Sequence, residues 1–141
     1  MSAEEHKARV RRIPEEMFNR GNLAVADEVI APDLIEHAAL PPGWPSGLAG
    51  VKQYVTTLRA AFPDFRYTVE DEIAEGDKVA VRLTARGTHQ GEWFGIPATR
   101  KQATWTETHI CRLAGGKVVE HWVEQDNLGM LQQLGAIPAD R

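Results

Sequence analysis

The chain has 141 residues, 43% hydrophobic and 26% charged, with a net charge of −4 and one cysteine. That length suits one domain over residues 1–141 with a core of its own. Acids and bases are interspersed with no basic stripe, which argues against a nucleic-acid partner, and a lone Cys111 excludes an internal disulfide. No apolar run reaches the ~18 residues of a membrane span. Residues 1–10 are charged and lack the apolar segment of a secretory signal, so a cytoplasmic location is expected.

Over residues 3–20 the apolar positions Ala8, Val10, Ile13, Met17 and Phe18 recur at near-helical spacing, and Gly21-Asn22 ends the helix. Pro14 is placed to kink this helix or to open a new first turn. Asn22 can cap a second helix running through Leu23, Val25, Ala26, Val29 and Ile30, which Pro32-Asp33 stops. Residues 34–39 read as a short extended piece, and the Pro- and Gly-rich 41–47 as a rigid loop. The clearest helix covers 48–62, with Leu48, Val51, Tyr54, Val55 and Leu58 on one side and Pro63 ending it.

The second half alternates as strands do, over residues 65–73, 78–89, 101–113 and 117–126. Glu75-Gly76-Asp77 forms one turn, 91–100 is an irregular loop, and Gly115-Gly116 supplies the positive φ angles of a tight hairpin. A last helical turn occupies 128–134. Helices first and a hairpin-linked antiparallel sheet second define an α+β fold. Helices packed in the concave side of a curved sheet would leave a cavity between them.

A two-residue turn at Gly115-Gly116 sets Leu113 opposite Val118, Cys111 opposite Glu120 and His109 opposite Trp122. Continuing, Glu107 meets Glu124 and Trp105 meets Asp126. Directly opposed residues share a sheet face. Trp105, Glu107, His109, Trp122, Glu124 and Asp126 are therefore expected on one side, with Val119, His121 and Val123 on the other. Rings beside carboxyls raise their pKa values, while a histidine can pair with one of them, which makes a general acid/base couple. The same face would equally suit solvent or a dimer contact. A slip of one residue would reverse one strand. His37 stands ahead of the rigid loop, at a pocket mouth or in plain solvent, and Cys111 reads as a small core residue. No zinc-ligand spacing, Gly-rich phosphate loop or nucleophile elbow occurs, so neither metal nor cofactor is expected.

Several short segments recur in a telling order. They are Glu36-His37, Ala61-Phe62-Pro63-Asp64, Glu75-Gly76-Asp77-Lys78-Val79-Ala80-Val81-Arg82 and Gly87-Thr88-His89-Gln90-Gly91. Gly95-Ile96-Pro97, Gly116-Lys117-Val118-Val119-Glu120-His121-Trp122, Asp126 and Gln132-Gln133-Leu134-Gly135 follow. In this order and spacing the chain resembles the SnoaL-like polyketide cyclases, or ester cyclases, of the nuclear transport factor 2-like superfamily. The resemblance implies an α+β cone: a strongly curved antiparallel sheet wrapped around N-terminal helices, enclosing an apolar pocket. It further implies ring closure of a polyketide by intramolecular aldol condensation without metal or cofactor, and a homodimer or higher homo-oligomer.

Carried onto this chain, the resemblance makes His109 and Asp126 the catalytic pair. His37 becomes a pocket-lining histidine, with Trp44, Phe94, Trp105, Glu107, Trp122 and Glu124 around a small apolar carbonyl-containing substrate. Many relatives have an aspartate directly after the Trp, where this chain has Val123. That departure keeps two rivals open: epoxide hydrolase- or ketosteroid isomerase-like chemistry on the same fold, and a non-catalytic small-ligand-binding or oligomerisation module.

Overall fold

A computed structural model describes residues 1–138. The chain opens with helix α1 (Ala3–Arg12), capped reciprocally by Ser2 and Glu5, and continues into a π-helical segment over Ile13–Phe18. Pro14 has no N–H to give back to Val10, so the helical ladder changes there to a wider turn. The widened turn buries Pro14, Met17 and Phe18. Helix α2 (Ala24–Val29) follows, then strand β1 (Ile30–Glu36), helix α3 (Gly47–Ala61) and strand β2 (Arg66–Glu75). Strands β3 (Lys78–Thr88), β4 (Gln102–Ala114) and β5 (Lys117–Gln125) and helix α4 (Asn127–Gln133) complete the order.

The five strands form one curved, unclosed sheet in the order β1-β5-β4-β3-β2. It is mixed, not purely antiparallel, because β1 joins β5 in parallel. The sequence reading extended the second helix to Ile30 and began the extended piece at Leu34, since Pro32 looked like a terminator. Pro32 instead lies inside β1, an edge strand hydrogen-bonded to one neighbour, where a missing N–H is tolerated and the ladder is interrupted between Ile30 and Ile35. Arg59 of α3 donates to the carbonyls of Phe18 (2.7 Å) and Asn19 (3.2 Å), so a cation closes the π segment's C-terminal end.

One hydrophobic cluster joins α1, the π segment, α2 and α3 to the inner faces of all five strands. Along β4 strict alternation holds, and Ala103, Trp105, Glu107, Cys111 and Leu113 are buried. Along β5 it does not. Leu113 pairs with Val118 as expected, but Arg112 pairs with Glu120, so Val119 is an extra residue forming a β-bulge. Beyond it the partners are Cys111 with His121, Ile110 with Trp122, His109 with Val123, and Glu107 with Gln125. The expected facing of β5 is thereby corrected: His121 and Val123 turn inward, while Trp122 and Glu124 turn to the outer face. No helix among the described residues is long and apolar enough to cross a membrane.

Candidate active site

Between the helices and the inner sheet face lies a cavity of about 420 Å³. Its walls are apolar: Ile13 and Met17 from the π segment, Leu34 from β1, Val51 from α3, and Val81 and Leu83 from β3. The loop before α3 contributes Leu40, Pro41 and Trp44, whose indole N–H donates to the Gly50 carbonyl at 3.1 Å. The polar groups gather on the sheet side, from Glu36, Glu107, His109, His121 and Gln125, with Tyr54 and Tyr67 beside them. No lysine or arginine lines the cavity among the described residues.

Four of these side chains form a continuous hydrogen-bonded row across three strands. Both oxygens of Glu36, on β1, lie 2.7 and 2.8 Å from Nδ1 of His121, on β5. Nε2 of His121 lies 2.7 Å from Nδ1 of His109, on β4. Nε2 of His109 lies 2.7 Å from Oε1 of Glu107. Glu107 ends the row. The Tyr67 hydroxyl donates to its Oε1 and the Trp105 indole N–H to its Oε2, both at 2.7 Å. The row depends on the bulge at Val119, which turns His121 inward beside His109, and on the parallel docking of β1, which sets Glu36 level with His121.

The two carboxylates differ in access. The Glu107 side chain is 3% exposed and that of Glu36 25%. Burial works to raise the Glu107 carboxyl, but the hydrogen bond and charge of His109, with Tyr67 and Trp105, outweigh it and hold the group below its ordinary value. At Glu36 burial is likewise outweighed, by the hydrogen bond and charge of His121 and the Ala38 N–H. Burial first, then the carboxylate charges, push the phenols of Tyr54 and Tyr67 up, so both remain neutral donors. Burial pushes the Cys111 thiol up to about 12, which leaves it a core residue without nucleophilic character.

The sequence-derived residues divide among several places. His109, Glu107 and Trp44 line the cavity. Trp105 is buried behind it, holding Glu107 through its indole N–H. Trp122 and Glu124 are on the outer face because of the bulge. His37 stacks on Trp122 at 5.0 Å and pairs with Glu120 at 2.7 Å, also outside. Phe94, 41% exposed, packs on Trp44 and Trp93 outside the lining. Asp126 is exposed at the start of α4, where its carboxylate accepts from the Gly129 N–H at 2.8 Å, and it does not line the cavity. The sequence reading assigned nothing to His121, Tyr54, Tyr67 or Gln125, and took Glu36 only as part of a resembling dipeptide. Among the described residues no three histidine, cysteine or carboxylate side chains are arranged to hold a metal ion.

An apolar, concave chamber with a small convergent set of titratable groups defines a small-molecule enzyme site. Comparisons with known proteins agree with that class. The family model of the SnoaL-like polyketide cyclases matches residues 8–134. Nogalonic acid methyl ester cyclase from Streptomyces nogalater is 34% identical over 119 residues, covering 84% of this chain and 89% of that protein. Among solved structures, TsrD from Streptomyces laurentii matches with a TM-score of 0.89 at 25% identity, covering 97% of this chain and 99% of that one. IdmH from Streptomyces antibioticus matches with a TM-score of 0.78 at 38% identity, covering 92% and 98%. The chain therefore belongs to the SnoaL-like polyketide cyclase family, a group of cyclase-type enzymes.

Proposed function

We propose that this protein closes a ring of an uncharged polyketide ester by intramolecular aldol condensation, using the Glu36–His121–His109–Glu107 row as its acid and base. The observation that carries this reading is the row itself, set along one side of an otherwise apolar chamber. Two carboxylates and, among the described residues, no lysine or arginine line the chamber, so its charge disfavours a free carboxylate and suits a neutral ester. The relative named as a methyl ester cyclase supports the same substrate class.

Glu36 is the proton acceptor in this proposal. It is the more accessible carboxylate, whereas both oxygens of Glu107 are occupied by three donors. The C–H bond on a carbon between two carbonyls breaks, its proton passes to Glu36, and the electron pair forms the enolate. The enolate carbon then bonds to the ketone carbon, and the C=O π pair becomes an alkoxide. The imidazole pair protonates that alkoxide through the Nδ1–H of His121, and the Glu36 carboxyl returns its proton to the vacated Nδ1 across the 2.7 Å contact. Glu107 keeps His109 in place and its charge balanced. The apolar walls hold the substrate folded, an effect worth about 7–11 kcal/mol at best. Asp126 receives no role in this scheme, since its carboxylate caps α4 outside the cavity.

We further propose a cytoplasmic location and self-association through the outer sheet face, where Ile110 and Trp122 pair. Sedimentation of the wild type against Trp122→Arg tests the latter.

Ring closure that stops at the alcohol, with no water expelled, moves a proton without gain or loss of atoms, so the product keeps the substrate's mass. The test is incubation with methyl esters of aromatic polyketides that carry a side-chain ketone. A product of unchanged mass with altered retention and absorbance is expected. Turnover of none of them, by a protein that binds them, would overturn the reading.

A further inference from the structure

The row of four side chains fixes its own proton count. It contains three contacts between titratable groups: Glu36 with His121, His121 with His109, and His109 with Glu107. Each is 2.7–2.8 Å long, and each needs one hydrogen between its two heavy atoms. Ionised carboxylates only accept, so His121 must offer its Nδ1–H to Glu36 and His109 its Nε2–H to Glu107. A neutral imidazole has one N–H. With both outer nitrogens protonated, neutral rings would set two bare lone pairs against each other, 2.7 Å apart, between His109 Nδ1 and His121 Nε2. Moving a proton onto a carboxylate does not alter the sum: three contacts hold three protons, and the row carries one net negative charge.

We infer that His109 and His121 share a third proton and together form a resident imidazolium that serves as the general acid of the cavity. This rests on the acid/base reading of the site and deepens it by giving the imidazole pair a resident third proton. The surroundings favour the shared charge. Around the pair stand Glu36 from β1, Glu107 and Cys111 from β4, Tyr67 from β2 and Tyr54 from α3, with no lysine or arginine in the lining among the described residues. Tyr67 stands edge-on to the His109 ring, centroids 6.3 Å apart. Tyr67 and Trp105 also donate to Glu107, one to each oxygen, which holds that carboxylate in place against His109. Val123, opposite His109 on β5, offers the imidazole no acid of its own, which leaves His121 as its partner on that strand.

The test is nitrogen-15 NMR of the histidine rings in the wild-type protein at neutral pH, with assignments made through bonds to the backbone. Protonated outer nitrogens on His109 and His121 are expected, with a single far-downfield proton correlated to both inner nitrogens. Two inner nitrogens with the shifts of plain unprotonated acceptors would overturn the inference. Cyclisation is assayed on the same sample, so the two failures separate. Bare inner nitrogens in an active enzyme defeat the shared proton and spare the reaction. A shared proton in a protein that cyclises no ester supports the inference and defeats the reaction.

Discussion

Val118 and His121 both face the cavity although three positions separate them along β5. Strict alternation forbids this, and the bulge at Val119 permits it. With Val119 in the strand, only the bulge keeps His121 on the cavity side. Deleting Val119 removes the bulge but leaves the pairings beyond it in place, Glu120 with Arg112 and His121 with Cys111, so His121 still faces the cavity. We expect the row and cyclisation to be retained, at a cost of about 0.5–3 kcal/mol, the range of ordinary single changes. Denaturant unfolding of the deletion variant measures it.

Asp126 holds the first turn of α4 through the Gly129 N–H and lies outside the cavity. Asp126→Ala should therefore cost about 0.5–2 kcal/mol, the usual range for a lost cap. Its cyclisation rate, measured well below the melting temperature, should match the wild type. A rate fall without a stability change would reassign the base to this residue.

Two buried carboxyls should bend the pH–stability curve in opposite directions. Glu107 is held below its ordinary value of 4.5 despite burial, so the folded state binds fewer protons than the unfolded chain. Its stabilisation is present above about pH 4.5 and is lost as pH falls through the depressed value. Glu72 is raised from 4.5, by burial only partly offset by Arg11 at 3.4 Å, and its Oε2 has no hydrogen-bond partner among the described residues. It binds more protons when folded, so its contribution worsens as pH climbs from 4.5 through the raised value. Chemical denaturation across pH should show Glu107→Gln flattening the acid limb, and Glu72→Gln gaining stability at neutral pH.

Gly50 fixes the rim of the chamber. A Cβ there would run into the Pro45 carbonyl, and the Gly50 carbonyl holds the Trp44 indole. Gly50→Ala should push the 41–47 loop off α3, lowering stability by about 1–3 kcal/mol and raising KM more than it lowers kcat. Intrinsic tryptophan fluorescence should shift red as Trp44 gains solvent.

Periodicity located nearly every element, because residues such as Val55 and Leu58 on α3, or Trp105 and Glu107 on β4, obey the spacing of their structure. What it could not reach was long-range. That β1 pairs with β5 depends on contacts between residues some 85 positions apart, such as Glu36 with His121, and Pro32 disguised the strand. The bulge left one clue: strict alternation sets Glu107 against Glu124, a like-charge pair that a sheet avoids. Weighed more heavily, that conflict would have moved His121 inward and linked it to His109. Glu36, the proposed base, stood in the sequence only as the neighbour of a more conspicuous His37.

Deuterium uptake tests the central claim most directly, because it reads proton abstraction apart from ring closure. A methyl ester with a carbon between two carbonyls is incubated in D₂O with wild type, Glu36→Gln and Asp126→Ala, and incorporation at that carbon is followed by NMR. Wild type and Asp126→Ala should exchange alike, with Glu36→Gln slower by about 10²–10⁴-fold. Exchange that survives in Glu36→Gln and disappears in Asp126→Ala would contradict the account and return the base to the start of α4.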